Sequence, residues 1–195
     1  LSDILLGTSG WSYKEWVKVF YPSEETKKLT YYSGVFRTVE IDSTFYAYPR
    51  QSIVYGWEQN TPQNFVFSAK LPKLITHDKR LDVEKGVIRD LYRFLEVVKP
   101  LMKNGKLGPL LVQLPPSFSF EKDYERLKRF VEAAPKDIML AVEFRHLSWL
   151  RSEVNELLRE HKIANTIVDE PLLPPTLNIT ADFSMVRWHG KGVRP

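Results

Sequence analysis

The chain has 195 residues, enough for one substantial core and within the range of a single domain. Hydrophobic residues make up 43% and charged residues 27%, a soluble globular balance, and no run approaches the roughly 20 apolar residues of a membrane span. Cysteine is absent, which excludes disulfides, zinc–thiolate sites and thiol nucleophiles, and the net charge of +4 comes from basic residues spread along the chain.

Taken in chain order, Ile4 to Ser9 reads as a first strand closed by Gly10. Ser23 to Gly34 reads as a helix, with Ser23 as N-cap and Gly34 as stop. Phe36 to Asp42 is the second strand, Ser52 to Asn60 a short helix, and Phe65 to Lys70 the third strand. From Val83 to Met102 apolar residues recur at helical spacing: Val87, Leu91, Phe94, Leu95, Val98 and Leu101. Lys103 to Gly108 reads as a turn-rich loop without phosphate-loop spacing. Leu110 to Leu114 is the fourth strand, Tyr124 to Ala134 a helix, and Ile138 to Phe144 the fifth strand. Ser152 to His161 is a helix capped by Ser152. Asn165 to Asp169 and Met185 to His189 are the sixth and seventh strands. Strands and helices in alternation predict a largely parallel α/β sheet covered on both faces. No dinucleotide glycine fingerprint follows the first strand, so a (β/α) TIM-type barrel with seven visible strands is expected rather than a doubly wound fold.

Three of these strands end in ionisable residues at alternate positions: Glu40 with Asp42, Glu143 with Arg145, and Arg187 with His189. Alternate residues of a strand share a face. Burying unpaired charge is costly, so these groups are expected to meet one another, a metal or a ligand. Paired carboxylates suit acid–base work, and the two guanidinium groups suit a phosphate or carboxylate. Glu40, Asp42, Glu143, Asp169 and His189 are therefore the candidate catalytic residues, and each has a structural alternative as a cap or an internal ion pair. Lys70 could form a Schiff base or simply carry its charge out of the strand mouth. With Lys70, the candidate binding residues are Trp11, Tyr13, Tyr46, His77, Gln113, Arg145 and Arg187. The aromatic members could stack on a ligand or pack loops onto the rim. His146 and Trp149 follow the fifth strand, while His161 reads as helix surface. The oxygen-rich set leaves room for a divalent metal whose ligands the sequence does not name. Asn178-Ile179-Thr180 matches a glycosylation acceptor by chance.

Several stretches together carry a resemblance: Gly7-Thr8-Ser9-Gly10-Trp11-Ser12-Tyr13, Glu40-Ile41-Asp42-Ser43-Thr44-Phe45-Tyr46, and Gln113-Leu114-Pro115-Pro116-Ser117-Phe118. Val142-Glu143-Phe144-Arg145-His146 with Ser148-Trp149, Val168-Asp169-Glu170-Pro171, and Arg187 with His189-Gly190 complete the set. The chain resembles the YecE-like family, also called domain of unknown function 72. That resemblance implies a TIM-barrel-like fold, similar to the barrels of sugar isomerases and of a metal-dependent endonuclease family, and no established reaction. Family members continue into an eighth strand and helix, whereas only Gly190 to Pro195 follows the seventh strand here. A single barrel domain over residues 1–195, incomplete at its C-terminus, is expected.

The expected function is an enzyme acting on a phosphate- or carboxylate-bearing small molecule or a sugar, as a metal-assisted hydrolase or isomerase. The alternatives are a protein that processes or binds nucleic acid, or a non-catalytic anion-binding module. No secretory signal precedes Ile4-Leu5-Leu6, so a cytoplasmic location without membrane contact is expected.

Overall fold

The structure, a computed structural model, describes residues 3–169, 173–174 and 176–189. Its chain divides into two compact units: Leu1–Pro72 with Arg93–Gly108, and Lys73–Tyr92 with Pro109–Pro195.

In the first unit, strands β1 (Thr38–Ile41) and β2 (Val66–Lys70) pair in parallel, from Thr38 opposite Val66 to Ile41 opposite Ala69. Helix α1 (Lys28–Ser33) leads into β1 and stops where expected, with the Gly34 N–H bonded to Tyr31 and Tyr32 carbonyls. It starts later than the sequence predicts. The Ser23 N–H accepts no helical role and instead donates to Thr26 Oγ1 at 3.1 Å, which makes Ser23 part of a turn. Helix α2 (Gln51–Gln59) separates the two strands. Tyr32, Val39, Ile41, Val54, Phe65 and Phe67 are buried in this unit's core.

The expected first strand is reduced to one parallel bridge, Ser9 with Glu40. Glu40 N–H donates to Thr8 O at 2.9 Å and Gly10 N–H to Glu40 O at 2.8 Å. The ladder goes no further toward the N-terminus, where Ile4 is 85% exposed and lacks the cover that sustains a buried strand. Gly7 permits the close approach, because a Cβ there would lie 2.1 Å from the carbonyl oxygen of Thr38.

Helix α3 (Val87–Lys103) follows a 3-10 turn over Val83–Lys85, and the left-handed Gly86 (φ 72°) divides them where the sequence predicts one helix. Its predicted apolar positions are buried. Strand β3 (Leu107–Gln113) begins inside the predicted loop. Phe67 N–H donates to Lys106 O at 2.7 Å, so backbone pairing recruits Leu107 and Gly108 despite their turn-like composition.

In the second unit, β3 pairs in parallel with β4 (Leu140–Glu143), and β4 with β5 (Ala164–Asn165). Strand β6 (Ile167–Asp169) pairs in parallel with β7 (Val186–Trp188). The predicted sixth strand is thus split at Thr166, whose N–H turns to Val142 O. Helices α4 (Phe120–Ala133) and α5 (Ser152–Glu160) connect the strands. Arg151, not Ser152, occupies the N-cap of α5, and its side chain makes no capping bond. Thr180 is 2% exposed; its hydroxyl donates to Ile163 O at 2.6 Å and accepts from Asn165 N–H at 2.8 Å.

A π-helical turn, Leu74–Asp78, runs into two consecutive left-handed residues, Arg80 (φ 51°) and Leu81 (φ 56°). Such conformations are unfavourable without glycine. They are held by the fully buried Leu81 and by an ion pair from Arg80 to the buried Asp123 at 2.6 Å.

The fold is therefore α/β with parallel strands. Among the described residues the strands do not close into a barrel: β7 pairs only with β6, and Ser9 contributes a single bridge in place of a first strand. Among the same residues, no helix is long and apolar enough to cross a membrane.

Candidate functional site

A polar cluster lies in the second unit, at the C-terminal ends of its strands. Parallel register sets Gln113, the last residue of β3, beside Glu143, the last residue of β4. The Glu143 side chain is 0% exposed. Its Oε1 accepts from Gln113 Nε2 at 2.7 Å and from Arg145 Nε at 2.5 Å, and its Oε2 accepts from Arg187 Nη1 at 2.5 Å. His189 Nε2 lies 3.6 Å from Oε1. It also lies 3.1 Å from Arg145 Nη2 and 3.3 Å from Arg187 Nη1. Burial alone would raise the pKa of Glu143. The bond from His189, the charges of Arg187 and Arg145, and the Gln113 amide outweigh it and lower that pKa from 4.5 to about 2. The carboxylate is thus ionised at neutral pH and both oxygens are engaged. It organises the guanidinium groups and is ill suited to carry protons. The side chains of Arg145, Arg187 and His189 remain 22%, 13% and 26% exposed.

A second cluster lies in the first unit. Glu40 is buried on β1 and accepts from Ser9 Oγ at 3.0 Å. Asp42 does not share its face by strand alternation, because the backbone at Asp42 has already turned helical (φ −80°, ψ −28°). It makes no side-chain cap to the Ser43–Phe45 turn and instead lies 3.3 Å from Nζ of Lys70, the last residue of β2. Lys70 Nζ also sits 4.3 Å above the centre of the Phe45 ring. The ion pair and the ring face together hold the Lys70 side chain in place at the end of β2. The exposed Tyr13 donates to the carbonyl of Ser9. Burial of its phenol and the nearby charges of Asp42 and Glu40 raise its pKa. Trp11 packs edge-on against Trp57 and Phe67, as a loop anchor, while Tyr46 is exposed.

The remaining candidates are dispersed. Asp169 ends β6 with an exposed side chain, and its carbonyl accepts from His189 N–H at 3.2 Å. His77 lies in the π-helical turn with Nδ1 2.9 Å from Thr76 Oγ1. His146 caps a 3-10 turn, with Nδ1 accepting from Ser148 N–H. Trp149 is core, stacked on Phe118 and Phe144. His161 contacts Lys136 Nζ at 3.2 Å. Sequence reasoning missed two buried ionic anchors. One is Asp123 between Arg80 and Arg126, and the other is Lys106, whose Nζ donates to the Glu58 and Thr61 carbonyls. Both join residues far apart in sequence, so local periodicity carries no signal for them.

The donor set does not fit a resident metal. Both Glu143 oxygens face cationic or amide donors, and among the described residues no three His, Asp or Glu side chains converge.

The comparisons with known proteins agree in kind. UPF0759 protein YunF of Bacillus subtilis is 28% identical over 201 residues, 96% of this chain and 70% of that protein. UPF0759 protein YecE of Escherichia coli K12 is 29% identical over 143 residues, 73% of this chain and 48% of that protein, so that match spans about half the relative's length. Among solved structures, a DUF72 family protein from Thermotoga maritima superposes with a TM-score of 0.83 at 36% identity, covering 96% of this chain and 75% of that one. One from Enterococcus faecalis gives 0.76 at 25% identity, covering 96% of this chain and 71% of that one. The family model described as "Protein of unknown function DUF72" matches residues 5–195, and the chain belongs to that family.

Proposed function

We propose that the chain binds a small molecule through a phosphate or carboxylate group, held by the guanidinium groups of Arg145 and Arg187 with His189 beside them. The observation that carries this reading is the convergence of two guanidinium groups, on side chains 22% and 13% exposed, on one buried carboxylate. Glu143 fixes their planes before a ligand arrives, so less side-chain freedom is lost on binding. A guanidinium fork matches an oxyanion with two parallel hydrogen bonds. Turnover, on this reading, is acid–base chemistry by a hydrolase or isomerase, with Glu143 positioning and not transferring protons. No step is routed through a metal.

We also read residues 1–195 as part of a (β/α) barrel. Parallel pairing between successive strands and the likeness to DUF72 structures support it. Barrel ligands bind at the C-terminal strand ends, the position of Gln113, Glu143 and Asp169.

Calorimetric titration tests the binding reading, first with inorganic phosphate and then with sugar phosphates and small carboxylates. Arg145→Met and Arg187→Met are each expected to weaken binding by about tenfold or more, the size of a lost charge-assisted hydrogen bond. Affinity unchanged in both variants, or no binding by the parent, would overturn the proposal.

A further inference from the structure

We propose that a cavity at the N-terminal ends of β4 and β5 binds a small apolar carboxylate, with its hydrocarbon body on the cavity floor and its charge against Lys136 and Lys162. The cavity measures about 300 Å³ and lies in the second unit, where α4 and α5 finish. It is at the opposite end of β4 from Glu143, so it is separate from the guanidinium cluster. Its floor is Val131, Ala134, Leu140 and Ile163, all buried. The charged side chains on its rim are Lys136, Lys162 and Glu160, two cations against one carboxylate.

Lys162 sits in the left-handed region (φ 54°), just past the end of α5. Its N–H donates to Arg159 O and the Ile163 N–H to Leu158 O, a helix-ending turn in which glycine is the usual occupant. A side chain there strains the backbone, and glycine would not. Among the described residues the Lys162 ammonium has no ion pair or hydrogen bond, so no polar contact within the fold offsets the strain. Lys136 Nζ donates to Val131 O at 2.8 Å, in the last turn of α4, and to Nδ1 of His161 at 3.2 Å. An ammonium has three donors, so beyond these two contacts one remains for a ligand. The bond to Val131 also covers a carbonyl that would otherwise present the negative end of α4 to an entering anion. Two ammonium groups beside an apolar floor match a molecule with a carboxylate at one end and hydrocarbon at the other. The volume is at the small end of the roughly 300–1,000 Å³ of ligand pockets, which selects a short acyl chain or a single ring.

Octanoate is the probe, and octanamide, which has the same tail and no charge, is its control. Calorimetric titration of the intact chain is expected to detect octanoate and not octanamide. Lys136→Met keeps the stem and removes the ammonium, and is expected to weaken octanoate binding by about tenfold, the size of one charge-assisted hydrogen bond. Lys162→Gly is expected to weaken it by about threefold while raising the thermal midpoint by about 2 °C, because the strained backbone is relieved. Absence of octanoate binding by the parent overturns the inference, as does equal affinity for octanamide or affinity unchanged in both lysine variants. A lowered midpoint in Lys162→Gly would show that the lysine serves the fold, and overturns it too. Loss of octanoate binding in Arg187→Met would place the ligand at the guanidinium cluster instead, which overturns the cavity and leaves the anion site standing. Lys162→Gly decides the question should Lys136→Met fail to fold.

Discussion

At Glu143, burial and ion pairing act in opposite directions, and pairing wins. The residue's neighbours were only partly legible in the sequence. Strand alternation joined Glu143 to Arg145 and Arg187 to His189, because those pairs are local. It could not show that Arg187, 44 residues away, reaches the same carboxylate. Nor could it show that Asp42 leaves the strand before its side chain can align with Glu40. Removing one charge tests the cluster at this scale. Glu143→Gln keeps the shape and leaves two guanidinium groups around a neutral amide, so a stability loss of about 3 kcal/mol is expected in urea unfolding. A loss below about 0.5 kcal/mol would mean that the cluster behaves like exposed surface pairs.

Among the elements, type was legible and extent was not. Helix α3 showed in apolar periodicity because it buries one face, whereas the ends of the helices depended on turns and bridges made by tertiary contacts. Residues 4–9 carry the apolar run of a strand, yet a strand needs backbone partners along its length, and here the backbone bonds to β1 run only from Thr8 to Gly10. Gly7 guards that contact. Gly7→Ala would drive a methyl group into the Thr38 carbonyl, 2.1 Å away, so a loss of about 3 kcal/mol is expected in thermal or urea unfolding. Lys106 anchors the end of α2, with Nζ 2.6 Å from Glu58 O and 2.9 Å from Thr61 O. Lys106→Met keeps the stem and removes these donors, at an expected cost of about 2 kcal/mol. Hydrogen exchange should then quicken at the C-terminal turn of α2 ahead of the β1–β2 pairing; uniform quickening would show that the anchor is not local.

For the molecule as a whole, the same carboxylate predicts a response to acid. Its folded pKa, about 2, lies below the ordinary 4.5, so its stabilising contribution is complete above the higher value and disappears as pH falls toward the lower one. The loss across that window is on the order of 3 kcal/mol. Stability of the parent, followed by circular dichroism in urea from pH 5 downwards, should therefore fall more steeply than that of Glu143→Gln, which has no charge to lose there. Parallel curves would place the acid sensitivity elsewhere. The α/β class was legible at this scale because alternating elements dictate it, while closure of the sheet depends on pairings that composition does not encode.

The seating of Thr180 places one hydroxyl between two backbone groups, the Ile163 carbonyl and the Asn165 N–H, so a single side chain fastens the chain at residue 180 to both ends of β5.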